Sequence, residues 1–473
     1  MRVALIYPQF YPEEHWSTIA AQERNLGVFP PLSLAYVAST LEACGHQVQL
    51  MDIAASGLSF PSVAKRIKQF DPGLLGFTVT TPLFHQNVSW IKKIKQEVDL
   101  PVIVGGVHVG LYPKETMLHR DIDFAMIGDA EAGLPEFMAA LERGGGFERI
   151  PGLCFKRNAE VIINERQSKC VALDGIPFPA RHLLPNERYY SIVSQRKNFT
   201  VMITSRGCAF ECIFCDQGRR KPMLRSAANV IAEIEECYHR FHVREIDFFD
   251  PSFTIDKQRV MEICRQIRSR NMDISWSLRT RIDTVDAELL EEMSRAGCIR
   301  IMYGIESAVP AILKSLKKYT DINRIQEIIR LTTSKGIEAF GFFTIGNPGD
   351  TRQTIRQTIR FARRSALLHA QFTRLTAFPG TELYQRYLDQ YAVDYWRQYV
   401  VNEIVKNPLP LVDTCIGVQE ANSLIRSAYV SFYLYPWRII KILCKIRSFR
   451  QFRKSVIAFF DMLFSKSKQV YQA

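Results

Sequence analysis

Three cysteines lie close together near the middle of the chain, and they are the residues best suited to chemistry. Cys208, Cys212 and Cys215 have the spacing C-x3-C-x2-C and follow the apolar run 199–203. Thiolates bind soft metals, but three are one fewer than a closed tetrahedral zinc site contains. A cubane iron–sulfur cluster usually has four cysteine ligands. The spacing therefore predicts a metal centre in which one coordination position stays open for another molecule.

The composition is that of a multidomain globular protein. The chain has 473 residues and is 47% hydrophobic, enough for the cores of about two to four domains. Its 11 cysteines are an odd number without a dense framework, which argues against a secreted disulfide scaffold and predicts a cytoplasmic protein. We find neither a signal-peptide pattern nor an uninterrupted apolar run of about 18 residues, so we expect no leader and no membrane-spanning helix.

Residues 1–145 alternate short apolar runs with helical patterns. This alternation predicts a doubly wound parallel sheet of the Rossmann-like type. Ligands of such sheets bind beyond the carboxyl ends of the strands. In this region those ends carry small and polar residues, although each group taken alone is compatible with an ordinary turn. The candidate ligand-binding residues are Thr80, Thr81, Gly105, Gly106, His108, Gly128 and Glu131.

The alternation of strands and helices restarts in the second half of the chain. Residues 146–195 are expected to be a connector with a short hairpin around Arg157 and Asn158, and residues 196–400 contain six strand–helix units. A complete eight-unit barrel needs about 250 residues, so the pattern predicts a partial (β/α)6 barrel of the TIM type. Barrel active sites lie at the carboxyl ends of the strands. Polar residues and one turn occur there, at Asp250, Arg281, Glu306 and Gly346.

Three of these residues also have purely structural interpretations. The functional interpretation depends on their common position at strand ends, on the same face as the cysteines. The structural alternatives are that Asp250 caps the helix beginning near Asp256, that Arg281 pairs with Asp283 or Asp286, and that Glu306 caps a helix near Pro310.

Residues 401–473 form a basic, aromatic region that is predicted to be helical. Residues 421–473 hold ten of the 61 Lys and Arg residues but only one of the 48 acidic residues. Aromatic, apolar and cationic side chains together, as at 429–445 and 455–464, are typical of a helix that lies on an anionic membrane. The alternative is a helical cap that closes the barrel, and the two interpretations are compatible. No nucleic-acid-binding module is present, so we expect no nucleic-acid partner.

The cysteine spacing, with Phe214 before the last cysteine, resembles the signature of the radical S-adenosylmethionine (SAM) enzymes. The flanking segments are similar to those of the class B members, which carry an N-terminal cobalamin-binding domain, and the resemblance covers residues 1–390. The matching segments are Pro-Pro-Leu-Ser-Leu-Ala-Tyr at 30–36, Gly-Gly-Val-His at 105–108, Gly-Asp-Ala-Glu at 128–131, Gly-Ile-Glu-Ser at 304–307, Gly-Asn-Pro-Gly-Asp-Thr at 346–351 and Phe-Pro-Gly-Thr at 378–381.

The resemblance implies a catalytic [4Fe–4S] cluster held by the three cysteines, with SAM chelated at the open iron. A flavodoxin- or ferredoxin-like donor would reduce the cluster, and reductive cleavage of SAM would give a 5′-deoxyadenosyl radical. The resemblance also assigns contacts with SAM: Asp250 and Ser252 near the methionine amine, Arg281 at the carboxylate, Glu306 at the ribose, and Phe214 and Gly346 along the adenine.

The resemblance further implies that cobalamin binds at the strand ends of the first domain. Thr80 and Thr81 would lie under the corrin, and Gly105 and Gly106 would let its nucleotide tail approach the backbone. The Asp-x-His-x-x-Gly motif is absent after Asp52, so cobalamin would be held without a histidine ligand.

From these features we expect an enzyme that methylates an unactivated carbon of an apolar or lipid-like substrate. Its location would be cytoplasmic, with possible peripheral contact on the inner face of the membrane through 421–473. The alternative within enzymes is a radical SAM cyclase or carbon–carbon coupling enzyme. The alternative from another class is a non-catalytic corrinoid- or metal-binding protein whose cysteines hold a structural ion.

Overall fold

The computed structural model describes residues 1–8, 27–158, 160–166, 171–402 and 408–445. Within these residues the chain forms two compact units. The first contains residues 1–8, 28–189 and 394–402, and the second contains residue 27 together with 190–393 and 408–445, counting only the described positions. None of the helices in these ranges is both long and apolar enough to cross a membrane. The predicted segment 455–464 lies outside the described residues.

The first unit is built on a seven-stranded sheet in the order β2-β1-β3-β4-β5-β6-β7. The chain passes from β1 to β2 on one side and then to β3 on the other side of β1, so the sheet is doubly wound, as predicted. The first five strands are parallel, and ligand sites in such sheets lie where the strand order reverses. The strands are β1 (Arg2–Tyr7), β2 (Gln47–Asp52), β3 (Leu74–Thr78), β4 (Val102–Gly105), β5 (Phe124–Met126), β6 (Leu153–Arg157) and β7 (Glu160–Ile163).

Helices cover this sheet and bury one face each. In α3 the side chains of Val63, Ala64 and Ile67 are buried while its lysines point outward, the pattern of a helix that packs on a core along one stripe. The helices of this unit are α1 (Leu32–Ala43), α2 (Ile53–Ser56), α3 (Phe60–Phe70), α4 (Phe84–Glu97), α5 (Val107–Leu111), α6 (Pro113–Leu118), α7 (Ala130–Arg143) and α15 (Tyr395–Asn402).

The segment 146–195, expected as a connector, belongs for the most part to the first unit. Its hairpin forms as predicted, with Arg157 paired with Glu160. However, β6 also pairs antiparallel with β5, so that Met126 faces Leu153. The hairpin therefore extends the first sheet instead of linking two domains.

The second unit contains a six-stranded, fully parallel sheet whose strands follow in chain order. This is the predicted partial barrel, and helices cover its outer side. The strands are β8 (Phe199–Met202), β9 (Glu245–Phe248), β10 (Ser275–Arg281), β11 (Cys298–Glu306), β12 (Glu338–Ile345) and β13 (His369–Arg374). The helices are α8 (Ala227–Arg240), α9 (Lys257–Ser269), α10 (Ala287–Arg295), α11 (Pro310–Ser315), α12 (Ile322–Ser334), α13 (Arg352–Arg364), α14 (Glu382–Tyr391), α16 (Val418–Tyr433) and α17 (Pro436–Lys445).

Most helices of this unit begin at a side-chain cap that the sequence encodes locally. The capping oxygen accepts a hydrogen bond from the backbone N–H three residues later, which satisfies one of the free donors at a helix start. At α13, Thr351 and Thr354 form a reciprocal capping box. The other caps are Ser226, Asp256, Asp286, Asp321 and Thr381.

The last strand of the barrel is closed by two tyrosines of α16. The Tyr429 hydroxyl accepts from the Phe372 N–H at 3.1 Å, and the Tyr433 hydroxyl lies 3.2 Å from the Ala370 N–H and 3.0 Å from its carbonyl oxygen. Four residues of helix rise about 6 Å and two residues of strand about 6.6 Å, so the two spacings match. Of the two interpretations of the tail, a helical cap on the barrel therefore describes α16.

A buried arginine fixes α17 against the end of α13. Arg438 is fully buried, and its guanidinium donates to the carbonyl oxygens of Leu367 at 3.0 Å, Phe432 at 2.7 Å and Ser365 at 3.2 Å. It also lies 3.5 Å from the centre of the Phe432 ring. Burial lowers the pKa of Arg438 to about 10, so the group stays charged at neutral pH.

We expect Arg438→Met to destabilise the second unit by about 3 kcal/mol, because several buried carbonyl oxygens would lose their donor. The measurement is the denaturant midpoint, together with proteolysis of the released α17. Arg356→Met is the matched control, since Arg356 is exposed on α13 and should change stability by less than about 0.5 kcal/mol. Equal midpoints for the two variants would contradict this assignment.

Candidate functional site

The cysteine loop follows β8 and is closed by a short antiparallel pair. Ser205–Arg206 pairs with Met223–Leu224 across the base of the loop. Inside it, the Cys208 N–H donates to the carbonyl of Gln217 at 3.0 Å, and the Cys215 N–H donates to that of Cys212 at 3.1 Å. The backbone alone therefore holds the three cysteines in one compact loop at the carboxyl end of the first barrel strand.

The loop is also tied to two other parts of the barrel. The Ile213 N–H donates to the carbonyl of Leu316, which ends α11, and the Ile213 carbonyl accepts from Leu383 in α14 at 2.8 Å. These bonds fix the backbone of the neighbouring Phe214, whose side chain is half-buried. Its contact with adenine stays a prediction.

The three thiols are free and half-buried. Burial raises the pKa of Cys212 and of Cys215, and the charges of Lys318 and Arg281 act in the opposite direction at Cys212. Among the described residues no three Cys, His, Asp or Glu side chains converge on a single metal ion. In a cubane each cysteine binds a different iron atom, so thiolates in one loop that do not meet at a point still fit a cluster.

Arg281, at the end of β10, lies against the cysteine loop. Its Nη1 is 3.6 Å from the Cys212 Sγ, and its guanidinium lies 3.9 Å from the centre of the Phe210 ring. It also forms the two-bond pair with Asp283 that was the structural alternative, at 2.9 and 2.5 Å. Arg281 therefore places a positive charge beside the cluster site, and its pairing with the SAM carboxylate stays a prediction.

A buried ion pair lies at the end of β11. Lys318 Nζ is 2.9 Å from Glu306 Oε1, and the two side chains are 5% and 9% exposed. Glu306 has a φ of 65°, a left-handed conformation that costs about 1–3 kcal/mol outside glycine. The structural alternative, a helix cap by Glu306, does not form, because α11 begins at Pro310 after Val309. Glu306 thus keeps one carboxylate oxygen that the pair does not use.

Sequence analysis missed Lys318, because nothing in the local pattern distinguishes it from its neighbour. Lys317 points toward Glu382 with its amine at 2.7 Å, and it is 31% exposed. Only the fold brings position 318 back to the end of β11. A lysine shortly after Gly-Ile-Glu-Ser was the one available signal.

Asp250 is buried beneath the start of the cysteine loop. Its two oxygens accept from the Thr204 N–H at 2.6 Å and the Thr204 hydroxyl at 2.5 Å, and Arg259 donates to that same hydroxyl. The capping alternative is wrong, because Asp256 itself caps α9. Both oxygens of Asp250 thus accept from Thr204, and the expected contact of Asp250 with the methionine amine stays a prediction. Asp250 positions the loop.

A cluster of four hydroxyls connects the loop after β9 to β10. Ser252 Oγ lies 3.1 Å from Thr280 Oγ1, and Thr254 Oγ1 lies 2.5 Å from Thr280 and 2.6 Å from Thr284. Ser252 is 3% exposed. Three of these residues were absent from the sequence prediction, because isolated threonines carry no pattern. The cluster fixes the end of β9, and the predicted contact of Ser252 with SAM stays untested.

The turn at Gly346 requires glycine. Its φ is +86°, its N–H donates to Asp350 Oδ2 at 3.1 Å, and a Cβ there would lie 2.7 Å from Leu411 Cδ1. The same carboxylate accepts from the Asn347 N–H at 2.9 Å. Leu411 therefore covers this turn, and the lining of adenine by Gly346 stays a prediction.

In the first unit, Thr81 and His108 pack together at the ends of β3 and β4. His108 Nδ1 is 3.0 Å from Thr81 Oγ1, and the imidazole is fully buried, with its ring centre 4.4 Å from that of Phe84. Burial lowers the pKa of His108 to about 3, and the charges of His85 and His119 add to this. A neutral, buried His108 supports the loop from within, and its expected contact with the cofactor stays a prediction.

Three neighbouring positions remain open to a ligand. Thr80 is exposed, and no other heavy atom lies within 4 Å of where a Cβ of Gly105 would be. Gly106 has a φ of +106°, and a Cβ there would lie 2.6 Å from the carbonyl oxygen of Val79. The neighbouring backbone therefore passes too close for a larger side chain at Gly106, which follows β4. Glycine at 105 and 106 leaves no side chain in the way of a large group such as the corrin, and the contact of Thr80, Gly105 and Gly106 with it stays a prediction.

Gly128 and Glu131 lie at the end of β5 and in the first turn of α7. The Arg166 guanidinium occupies the space where a Gly128 side chain would be, at 2.8 Å from the Cβ position. Gly128 has a φ of +91°, and Asp129 precedes the helix that contains Glu131. Arg166 is a cation at this strand end that sequence analysis did not select.

Comparison with known families identifies both units. Residues 202–362 match the Radical SAM superfamily, and residues 24–138 match the B12 binding domain. An uncharacterised methyltransferase of Pyrococcus horikoshii is 32% identical over 93% of this chain and 94% of that protein. The anaerobic magnesium-protoporphyrin IX monomethyl ester cyclase of Rubrivivax gelatinosus is 26% identical over 86% and 74%. The hopanoid C-3 methylase of Methylococcus capsulatus is 22% identical over 80% and 73%.

Two solved structures share the fold. The radical SAM methyltransferase TsrM of Kitasatospora setae, solved with cobalamin and a [4Fe–4S] cluster, superimposes with a TM-score of 0.65 at 19% identity, over 80% of this chain and 73% of that one. The cobalamin-dependent radical enzyme OxsB, solved with aqua-cobalamin and SAM, gives a TM-score of 0.67 at 15% identity, over 98% and 71%.

Proposed function

The chain belongs to the radical SAM enzymes that carry a B12 binding domain, and from this premise we propose that it methylates an unactivated carbon of an apolar, lipid-like substrate. The observation that carries the proposal is the presence, in one chain, of a B12 binding domain and of a radical SAM barrel with three cysteines at the carboxyl end of its first strand. The family's cofactors are a [4Fe–4S] cluster, SAM and cobalamin, which supply the electron, the radical and the methyl group when they are bound.

Different residues of this chain bind the cluster, SAM and cobalamin. Cys208, Cys212 and Cys215 hold the cluster, and the cations of Arg281 and Lys318 offset the negative charge of thiolates in a partly dry site. Glu306, held in a strained conformation, directs its second oxygen to hydroxyl donors such as those of a ribose. We propose that Thr80, Gly105 and Gly106 contact the corrin, and that a flavodoxin- or ferredoxin-like protein is the electron donor.

Methyl transfer to a lipid is favoured over other outcomes by the relatives. Two of the three are methyltransferases by name, and one of these acts on a hopanoid. The related cyclase supports ring closure as the second candidate. We also propose that the tail makes a peripheral membrane contact, because exposed aromatic and aliphatic side chains lie beside basic ones on α17.

The test is anaerobic incubation of the reconstituted protein with cobalamin, a reductant, methyl-labelled SAM and extracted lipids. We expect the label in a lipid product that is heavier by one methylene. A product that loses hydrogen and carries no label would favour the cyclase instead. Absence of methionine and 5′-deoxyadenosine formation, with or without lipid, would overturn both enzymatic proposals and favour the non-catalytic metal-binding alternative.

A further inference from the structure

A groove of about 740 Å³ lies on the outer, helical side of the barrel, between α12, α13 and α17. We call it the arginine groove. Its floor is apolar and includes Ile322, Ile329 and Phe361, and Trp437 of α17 forms one end. It lies on the outer layer of helices, whereas the cysteine loop follows the carboxyl end of β8. The groove therefore has no part in the chemistry proposed above.

Three arginines line this groove: Arg330, Arg360 and Arg364. All three are exposed, and within the described part of the chain none of them pairs with a carboxylate. Neighbouring arginines at the helix starts behave differently, because Arg324 pairs with Glu327 and Arg352 with Glu420. Three like charges gathered without a counter-charge repel one another. Such a cluster is stabilised when an anion binds between them.

The face of α17 beside the groove is apolar and exposed. Trp437 is 46% exposed and Ile440 is 61% exposed, while Lys441 lies with its amine 3.7 Å from the centre of the Trp437 ring. These residues share one face, since they lie at i, i+3 and i+4. The buried Arg438 holds the opposite face against α13, so the helix cannot turn its apolar side inward.

We propose that the arginine groove binds the anionic headgroup of a phospholipid and docks this face of the barrel on an acidic membrane. The arginines carry the charge opposite to that of the phosphate, and each guanidinium can donate two hydrogen bonds to its oxygens. Trp437 and Ile440 match the interfacial layer above the acyl chains, where amphipathic aromatic side chains are favoured. A soluble phosphate would match only the first of these features. The inference deepens the proposed membrane contact, on which it rests, and assigns it a site.

The test is co-sedimentation of the full chain with phosphatidylcholine vesicles that contain or lack phosphatidylglycerol. The variant replaces Arg330, Arg360 and Arg364 by glutamine. We expect its affinity for acidic vesicles to fall about a hundredfold, at roughly fivefold per cation near an anionic surface. The control replaces Arg240, Arg265 and Arg295 by glutamine. It removes the same charge from exposed residues that pair within their own helices, and it should bind within about threefold of the wild type.

A second variant, Trp437→Ser with Ile440→Ser, tests the apolar part and should weaken binding even at high salt, where the arginine contribution is screened. Thermal melting of each variant checks that the fold is intact. If the wild type binds acidic vesicles and both arginine variants lose affinity equally, the membrane contact stands but the groove is overturned as its site. If the wild type does not bind, or if inorganic phosphate stabilises it with no vesicle binding, the membrane contact and the groove both fail.

Discussion

Replacement of Cys212 by alanine is expected to abolish SAM cleavage and to lower the iron content of the reconstituted protein from about four atoms per chain towards none. Only three thiolates are present in the loop, so loss of one leaves two ligands for a cluster that normally has three or four. The Cys212 Sγ also lies 3.6 Å from Arg281 Nη1. The measurements are iron and sulfide content, visible absorption after anaerobic reconstitution, and formation of methionine.

The matched control is Cys44→Ala, because Cys44 is an exposed free thiol in the first unit. It should retain the iron content, the absorption and the cleavage of the wild type. A Cys212→Ala protein that kept its cluster and cleaved SAM would disprove the assignment of the three cysteines. Loss of iron in both variants would instead indicate that the cluster is lost through unfolding.

Replacement of Lys318 by methionine is expected to destabilise the second unit by about 3–5 kcal/mol. The Glu306 carboxylate would then be left in a dry site without its counter-charge, and breaking a buried ion pair from one side is far more costly than replacing both partners. Cys212 would also lose one of the two positive charges near it. Denaturant unfolding of the reduced protein measures the first effect, and the affinity for SAM after reconstitution measures the second.

Two companion variants make this prediction specific. Lys317→Met removes the adjacent lysine from a partly exposed pair and should cost less than about 1 kcal/mol. The double variant Lys318→Met, Glu306→Gln replaces both charges by neutral groups of similar size, and it should recover most of the stability but not the binding of SAM. A Lys318→Met protein as stable as Lys317→Met would show that the pair is not a buried one in solution.

The fold could be predicted from local patterns because many strands are short apolar runs and most helices of the second unit begin at a side-chain cap. The position of the β6–β7 hairpin at the edge of the first sheet could not be predicted from such patterns. The strands β5 and β6 pair antiparallel, through Met126 and Leu153, although the preceding strands of this sheet are parallel. Nothing in either segment specifies this partner. The same limit applies to residues 394–402, which return to the first unit after the barrel is complete.

The site could be predicted where its residues are close in sequence, and it was missed where the fold brings them together. The cysteines were found by their spacing. Lys318 was missed because its partner Glu306 lies on another element, and the bonds from Thr204 to both oxygens of Asp250 could not be read from the sequence either. The contacts of Lys318 and Asp250 depend on burial, which is set by the packing of the whole chain and cannot be read from a local segment. It also explains why His108, in a segment that resembles a cofactor motif, supports its loop from inside.

The hydroxyls of Tyr429 and Tyr433 determine where the barrel sheet ends. The free edge of a strand is a template, and a second copy of the chain or a partly folded one can extend it by one strand at a time. In this protein the N–H groups of Phe372 and Ala370 already donate to the hydroxyls of Tyr429 and Tyr433. A side-chain hydroxyl cannot continue the sheet as another strand would. At this edge the two hydroxyls block the pairing of a further strand at residues 370 and 372. Two tyrosine hydroxyls therefore make this edge of the open sheet less prone to growth into a larger aggregate.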